Sequence, residues 1–286
     1  MSNPLLSVLI PVYNGAQFIH ECLDSVFNQT YSNLEILISD DGSTDDSKEL
    51  LDQLKDPRIK IFYHKRQQGW VANCNFLISK VKGSYFSILP QDDLIPPKYL
   101  ETLFKKFNKN DNRVNCFPYV QSIGINSGEI RQASITGTLE DRIYDVILNH
   151  FWGVSFRGLV KNNITDAFRF LNRDQHHDMM ADTIWILQHA IAGELYEVRI
   201  PYQKRYHTKN EHSTWTRQPI DIKIKAWSQH CATLYNLARP YISDEKVLYK
   251  NSLIRLLEKK KYLLKILNND YDHLLLREFN EKINYD

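Results

Sequence analysis

The sequence has few of the features that mark extracellular, metal-bound or membrane-spanning proteins. It contains four cysteines in 286 residues, at positions 22, 74, 116 and 231, and no CxxC pair, so neither a zinc knuckle nor a redox pair is indicated. Scattered cysteines suit a reducing cytosol. The apolar run at residues 5–12 is shorter than the roughly 20 residues of a membrane helix and has no basic leader. We therefore expect a cytoplasmic protein.

An excess of charge of one sign is also absent. The chain has 36 Lys and Arg against 34 Asp and Glu, which gives a formal net charge of +2. This balance argues against a general nucleic-acid binder, so we expect no nucleic-acid partner. Internal repeats and low-complexity segments are absent as well. The length predicts one large domain, or a main domain with an appendage.

Strands and helices alternate along the first hundred or so residues. Apolar runs predict strands at residues 6–12, 34–39, 59–63 and 85–89. Apolar residues at helical spacing predict helices at residues 16–28, 47–54, 69–81 and 97–108. This alternation predicts an α/β fold with a doubly wound, mostly parallel sheet.

The rest of the chain has fewer chemical signals. It predicts strands at 114–120 and 194–200, a hairpin near 126–128, helices at 139–149 and 182–192, and a polar loop at 204–215. Charged, periodic helices follow at 220–238 and 244–268. We divide the chain into a domain of residues 1–215, with halves at 1–110 and 111–215, and a helical appendage of residues 216–286. The basic residues of the appendage leave two interpretations open, a peripheral membrane contact and a solvated charged face.

Short polar segments follow three predicted strands, at Tyr13-Asn14, Asp40-Asp41 and Asp92-Asp93. Ligands of such sheets bind beyond the carboxyl ends of the strands, so we expect these segments to meet in one crevice. Adjacent carboxylates suit Mg²⁺ or Mn²⁺, and a carboxylate of the Asp40-Asp41 pair could accept hydrogen bonds from a nucleobase or ribose. Taken alone, each acidic pair also fits a turn or a helix N-cap.

An ordered set of motifs connects these segments. The set comprises residues 7–14, 25–31 and 35–45, then Gly69, Asn75 and Gly83, and finally residues 89–93. In this order the motifs resemble family 2 of the glycosyltransferases, inverting enzymes with the GT-A fold. The resemblance implies that residues 1–110 bind a nucleotide-sugar, with UDP as the preferred nucleotide. It implies that residues 111–215 bind the acceptor, and that the cofactor is Mn²⁺ or Mg²⁺.

The resemblance also implies roles for single residues of the first half. Pro11, Tyr13, Asn14 and Asp41 would form the nucleotide pocket, with Asp41 facing the base. These residues follow the first two predicted strands, where a bound nucleotide is expected.

The acidic motif departs from the family pattern. The family usually has Asp-x-Asp, and its first position is Pro90 here, whereas Asp92 matches the last carboxylate. The resemblance implies that Asp92 binds both nucleotide and metal, with His207 as a second contact to the metal or diphosphate. The loss of the first carboxylate removes one contact to the ribose or to the metal's hydration shell.

A weaker resemblance places the general base at Asp182. Asp182 matches the Asp of the family's Glu-Asp segment, and Ala181 stands at the Glu position. A helix N-cap is the alternative interpretation of Asp182, and Asp178 is the next candidate for the base. His176 and His177 lack a clear third metal ligand, so we interpret them as loop residues.

These observations predict transfer of a sugar from a nucleotide-sugar donor to a hydroxyl of a glycan or lipid-linked glycan, with inversion, in polysaccharide or glycan biosynthesis. Two alternatives stay open. A nucleotidyltransferase would usually have a Gly-rich basic loop after the first strand, where residues 11–15 read Pro-Val-Tyr-Asn-Gly. A non-catalytic carbohydrate- or nucleotide-binding protein would explain Pro90 and Ala181, but not the presence of Asp92 and Asp182.

Overall fold

One sheet of eight strands forms the centre of the molecule. The computed structural model describes residues 3–107, 112–124, 127–150, 153–173, 178, 180–206, 218–263 and 269–283. The strands are β1 (Leu6–Val12), β2 (Leu34–Asp40), β3 (Ile59–Tyr63), β4 (Tyr85–Ile88), β5 (Arg113–Gly124), β6 (Gly128–Ile130), β7 (Leu159–Lys161) and β8 (Glu194–Tyr206). Their order is β3-β2-β1-β4-β7-β5-β6, with β8 along β5.

The sheet is mostly parallel, as predicted. Strands β1 to β4 are parallel to one another, β7 is antiparallel to β4 and β5, and β8 is parallel to β5. Successive residues of β1 pack on opposite faces, since Val8 and Ile10 join one buried apolar cluster and Leu9 joins another. The helices of this half are α1 (Ile19–Phe27), α2 (Ser47–Asp52), α3 (Trp70–Lys80) and α4 (Tyr99–Phe104).

The remaining helices pack beside the other end of the sheet. They are α5 (Leu139–Asn149), α6 (Asp166–Arg169), α7 (Ala181–Ala192), α8 (Ile220–Ala238), α9 (Glu245–Glu258), α10 (Lys260–Leu263) and α11 (Asp272–Asn280). Helix α5 begins with a capping box between Thr138 and Asp141. Leu187 of α7 and Trp227 of α8 are fully buried in one cluster with Phe279 of α11. The C-terminal helices thus share a core with α7, whereas the predicted boundary near residue 215 lies outside the described residues.

Several elements differ in length from the prediction. Strand β8 continues to Tyr206, because its pairing with β5 runs on as far as Gly124. The helix predicted at 97–108 begins only at Tyr99, and the helix predicted at 244–268 ends at Glu258. Within the described ranges, none of the helices is both long and apolar enough to cross a bilayer.

Candidate active site

A cavity of about 820 Å³ opens at the carboxyl ends of β1, β2 and β4. We call its first side the strand-end wall, which consists of Pro11, Val12, Tyr13, Asp41, Gln91 and Asp92. We call a second part of its lining the helix wall, which consists of Phe156, Arg157, Asp178, Met180, Asp182 and Ile222. The parallel strands bring residues from the predicted polar segments together, because their carboxyl ends lie at one edge of the sheet.

The end of β1 presents an aromatic ring to the cavity. Tyr13 lines the cavity and keeps 37% of its surface exposed. Asn14 follows in the left-handed region, with φ of 49°, and does not line the cavity. Its Oδ1 accepts a hydrogen bond from the Thr44 amide at 2.8 Å, and its own amide donates to Ser43 Oγ at 2.9 Å. Asn14 therefore holds the loop after β2 against the loop after β1.

Asp41 is buried at the end of β2, and it lines the cavity. Its carboxylate accepts hydrogen bonds from the amides of Gln68 at 2.8 Å and Gly69 at 2.9 Å. Gly69 has φ of 95°, a conformation that favours glycine, so the chain can turn over the carboxylate at this point. Asp41 thus fixes the loop before α3, and each carboxylate oxygen still has a lone pair for a ligand N–H.

The two carboxylates of the acidic motif have different environments. Asp92 lines the cavity, whereas Asp93 is 3% exposed. Asp93 accepts hydrogen bonds at 2.9 Å from the Tyr202 hydroxyl and from the Arg205 amide. Burial raises the pKa of Asp93 to about 6, against the opposing charge of Arg157. Asp93 therefore anchors β8, and Asp92 is the member of the pair that a ligand can reach.

Gln91 joins the ends of β4 and β1, a role that the sequence interpretation missed. Its Oε1 accepts from the Tyr13 amide at 2.8 Å, and its Nε2 donates to the Tyr13 carbonyl at 2.9 Å. The side chain packs so closely on Gly15 that a Cβ there would overlap it. Gln91 thus positions the exposed ring of Tyr13.

The helix wall presents Asp182 from the first turn of α7. The N-cap of this helix is Met180, so Asp182 is not the cap that the alternative interpretation required. Asp182 Oδ1 accepts from the Thr183 amide at 2.9 Å. Its other oxygen packs on Gly153, where a Cβ would overlap it, and Gly153 has φ of 59°. The carboxylate therefore requires a glycine opposite it.

Two further residues near Asp182 have unusual backbones. Asp178 and Met180 both have φ of 57°, a region that L-residues other than Asn and Asp rarely adopt. Asp178 is buried and forms an ion pair with Arg173 at 3.5 Å. The backbone of Met180 is therefore strained, and strained backbone clusters at functional sites, where it is supported by surrounding structure.

Arg157 is the second residue that the sequence interpretation missed. It ends the 3₁₀ helix Val154–Arg157, is 8% exposed and lines the cavity. Burial alone would lower its pKa. The electrostatic effect of Tyr202, Asp93, Asp182 and Tyr206 is larger than that of burial, so the pKa is raised. Arg157 is therefore a cation inside the cavity. No motif in the sequence signals it.

The cavity also contains an aromatic surface and a buried thiol. Trp70 is 40% exposed and meets Phe156 edge-to-face, with ring centroids 6.2 Å apart. Cys74 is buried, and burial followed by the charge of Asp41 raises its pKa to about 12. A thiol with this pKa is neutral at pH 7, which argues against a nucleophilic role.

Asp92 fits a divalent ion in part. Mg²⁺ commonly uses one or two carboxylates together with substrate phosphates and water, and Asp92 offers such a carboxylate beside the cavity. Among the described residues there is no group of three or more His, Cys, Asp or Glu side chains that could hold a metal on its own. His207, predicted as a second contact, lies outside the described residues, as do His176 and His177.

Residues 7–179, more than half of the chain, match the sequence profile of glycosyl transferase family 2. The chain belongs to this family. It is similar to glycosyltransferase GlyG of Streptococcus pneumoniae, with 35% identity over 125 residues, or 42% of each chain. It is 29% identical over 205 residues to an uncharacterised glycosyltransferase of Haemophilus influenzae, covering 71% of this chain and 58% of that one. This family 2 chain thus spans about half the length of these curated relatives.

Solved structures show the same fold. The S. aureus TarS fragment 1–349 in complex with UDP-GlcNAc superposes with a TM-score of 0.72 at 12% identity, covering 97% of this chain and 80% of that one. Mannosyltransferase PcManGT from Pyrobaculum calidifontis, in complex with GDP-Man and Mn²⁺, superposes with a TM-score of 0.60 at 14% identity, covering 99% and 74%. The expected GT-A fold is confirmed.

Proposed function

We propose that this family 2 chain is an inverting glycosyltransferase that moves a sugar from a UDP-sugar to a hydroxyl group of a glycan or lipid-linked glycan. The observation that carries the proposal is that Asp182 lines the same cavity as Tyr13, Asp41 and Asp92. A donor bound on the strand-end wall would direct its sugar towards the helix wall. The nucleotide-sugars in TarS and PcManGT support a donor of this class.

The strand-end wall would hold the nucleotide. The ring of Tyr13 offers a face for the base, and Asp41 offers carboxylate oxygens to a base or ribose donor group. The first strand leads into residues without a basic, glycine-rich phosphate loop, which favours a glycosyltransferase over a nucleotidyltransferase.

Asp92 would hold the divalent ion, together with the donor's diphosphate. When bound, Mn²⁺ or Mg²⁺ supplies positive charge to the diphosphate oxygens. Supporting this proposal are the accessible carboxylate of Asp92 and the Mn²⁺ of PcManGT. Binding of UDP measured by calorimetry with Mn²⁺, and again in excess EDTA, tests it. Equal affinity under both conditions would remove the ion from the proposal.

Asp182 would act as the general base. It takes the proton of the acceptor hydroxyl, whose oxygen forms a bond to the anomeric carbon from the face opposite the diphosphate. The bond from that carbon to the diphosphate oxygen breaks, and its electron pair leaves with UDP. One displacement of this kind inverts the anomeric configuration. Asp182 lies in the first turn of α7, where the amides of the helix N-terminus carry partial positive charge.

Asp182→Asn tests the proposal most directly. General-base catalysis typically contributes a factor of about 10²–10⁴, so we expect sugar transfer to fall by that range. Binding of UDP should change little, because the base addresses the acceptor. Activity is measured with a panel of nucleotide-sugars, both as hydrolysis and as transfer, and Asp166→Asn serves as the control because Asp166 lies outside the cavity lining.

Three outcomes separate the alternatives. Transfer by Asp182→Asn at the wild-type rate would exclude Asp182 as the base and would direct attention to Asp178. Binding of nucleotide-sugars by the wild type without hydrolysis or transfer would favour a non-catalytic binding protein. Absence of nucleotide binding would overturn the proposed function as a whole.

A further inference from the structure

We propose that Arg157 binds the diphosphate of the nucleotide-sugar, an inference that rests on the function proposed above. Its guanidinium is held in place without using all its donors. Nη1 donates to the Gly153 carbonyl at 2.9 Å, and the guanidinium carbon lies 5.4 Å from the centroid of the Tyr202 ring. The Tyr99 hydroxyl fixes the backbone by donating to the Arg157 carbonyl at 2.5 Å.

Part of this buried guanidinium has no partner among the residues that the structure describes. Nε is buried and makes no hydrogen bond within the part of the chain that the structure describes. A buried donor without a partner is costly, and each such group in a native structure requires an explanation. Because Arg157 lines the cavity, a ligand oxygen is an acceptor that would satisfy it.

Arg157 is the group of the cavity lining that can attract an anionic ligand. The lining contains four carboxylates, those of Asp41, Asp92, Asp178 and Asp182, and Arg157 is its one cation among the described residues. A diphosphate that entered beside these carboxylates would be repelled unless positive charge lay close to it. The planar guanidinium matches two phosphate oxygens at once, which a lysine does not.

The neighbouring carboxylate does not fully account for Arg157. Asp93 faces its positive charge, but among the described residues no hydrogen bond joins the two side chains; the Asp93 oxygens accept from Tyr202 and from the Arg205 amide. Asp93 therefore offsets the charge of the guanidinium at a distance and leaves its donors available. When the bond to the sugar breaks, negative charge grows on the diphosphate, and a cation already in position stabilises it.

The test compares ligands with and without phosphates. Dissociation constants of uridine and UDP are measured by ligand-observed NMR and calorimetry, with Mn²⁺ and in excess EDTA. For Arg157→Met we expect affinity for UDP to fall about tenfold or more, the usual effect of removing a charged hydrogen-bond donor. Affinity for uridine should stay within about twofold in the same variant, because the base and ribose contact the strand-end wall. The effect on UDP should be present in EDTA, where no ion contributes.

Two further variants keep the outcome interpretable. Arg157→Lys retains the charge without the planar donors and should recover only part of the affinity for UDP, so it replaces Arg157→Met if that variant does not fold. Arg142→Lys is the matched control, since Arg142 is buried but bonds the carbonyls of Ala190 and Gly137, outside the cavity lining. An unchanged ratio of UDP to uridine affinity in both Arg157 variants would overturn the inference. A wild-type protein that binds neither ligand would instead overturn the proposed function.

Discussion

On the strand-end wall, the amides of four consecutive residues are each bound by a side chain from another segment. Residues 13, 14, 15 and 16 donate to Gln91, Ser43, Ser47 and Asp45, respectively. The helix wall has no comparable network among its described residues. Asp182 accepts a hydrogen bond from the next amide in its own helix, and Gly153, Asp178 and Met180 hold left-handed conformations around it.

This difference separates two ways of positioning a functional group. Side chains that bind backbone amides fix a loop locally, and each hydrogen bond adds its own small contribution to the stability of the loop. A non-glycine residue in the left-handed region, such as Met180, costs about 1–3 kcal/mol, and it persists only where the surrounding packing supports it. We therefore expect a single substitution in the strand-end wall to have a small effect on ligand binding. A single substitution in the helix wall should displace Asp182 and have a large effect on sugar transfer.

Gly153→Ala should give the largest effect. The added Cβ overlaps the Asp182 carboxylate, and the left-handed φ penalises alanine as well. A displacement of about 1 Å at a reacting group can cost 10²-fold, so we expect sugar transfer to fall about 100-fold, with binding of uridine unchanged. Transfer is measured at saturating donor and acceptor. Gly128→Ala is the control, because it also has a positive φ but nothing within 4 Å of its Cβ.

A Gly153→Ala protein with wild-type transfer would show that the helix wall adapts as readily as the strand-end wall. That result would remove the proposed contrast between the two walls.

Glu35→Gln should have the next largest effect, on the stability of the half that carries the strand-end wall. Glu35 accepts hydrogen bonds from Ser7 Oγ at 2.6 Å and from the amides of Lys82 at 2.7 Å and Gly83 at 3.2 Å. Burial alone would raise its pKa, but these bonds and the charge of Lys60 lower it. We expect the free energy of unfolding at neutral pH to fall by about 2 kcal/mol, measured by denaturant titration.

The difference in free energy of unfolding between wild type and Glu35→Gln should depend on pH. A carboxyl whose pKa is lower in the folded state stabilises the fold above the ordinary pKa of glutamate, and the stabilisation disappears as pH falls through the folded-state pKa. The difference between wild type and Glu35→Gln should therefore shrink below about pH 4. Glu49→Gln, at an exposed position of α2, should show no such difference. A difference that stays constant with pH would contradict the role of the Glu35 charge.

Gln91→Ala should have the smallest effect. It removes the two hydrogen bonds to the Tyr13 backbone, but the bonds to residues 14–16 remain. A loss of about 1 kcal/mol corresponds to a roughly fivefold weaker affinity for UDP, which calorimetry resolves. Transfer at saturating donor should stay within about twofold. Gln53→Ala, on the exposed end of α2, is the control. A loss of sugar transfer as large as that of Gly153→Ala would mean that the hydrogen bonds of the strand-end wall do not contribute independently of one another.

Much of the strand-end half could be predicted from the sequence. The four parallel strands were predicted within a residue or so, because the apolar runs of β1, β2 and β4 are buried on both faces and the edge strand β3 is partly buried. The convergence of Tyr13, Asp41 and Asp92 on one cavity followed from the rule for strand ends. The family resemblance, confirmed by the match at residues 7–179, rests on the same segments.

The helix wall could be predicted only in part. Helix α7 and Asp182 were predicted from apolar spacing and the family resemblance, but Gly153 and Arg157 were not. Both precede Asp182 by more than 20 residues, and neither belongs to a periodic pattern. Strand β8 was predicted too short because its last residues are ordered by pairing with β5, which is distant in sequence.

The sequence by itself determined the order of elements, the segments that end the parallel strands and the family of the chain. Periodicity and motifs are local properties, and they are readable without coordinates. Only the tertiary structure decided which of the adjacent carboxylates, Asp92 or Asp93, a ligand can reach. Asp92 lines the cavity, whereas Asp93 is buried against Tyr202 and Arg205, more than a hundred residues further along the chain. The burial and charge of a side chain depend on such distant partners, and these also brought Arg157 into the cavity.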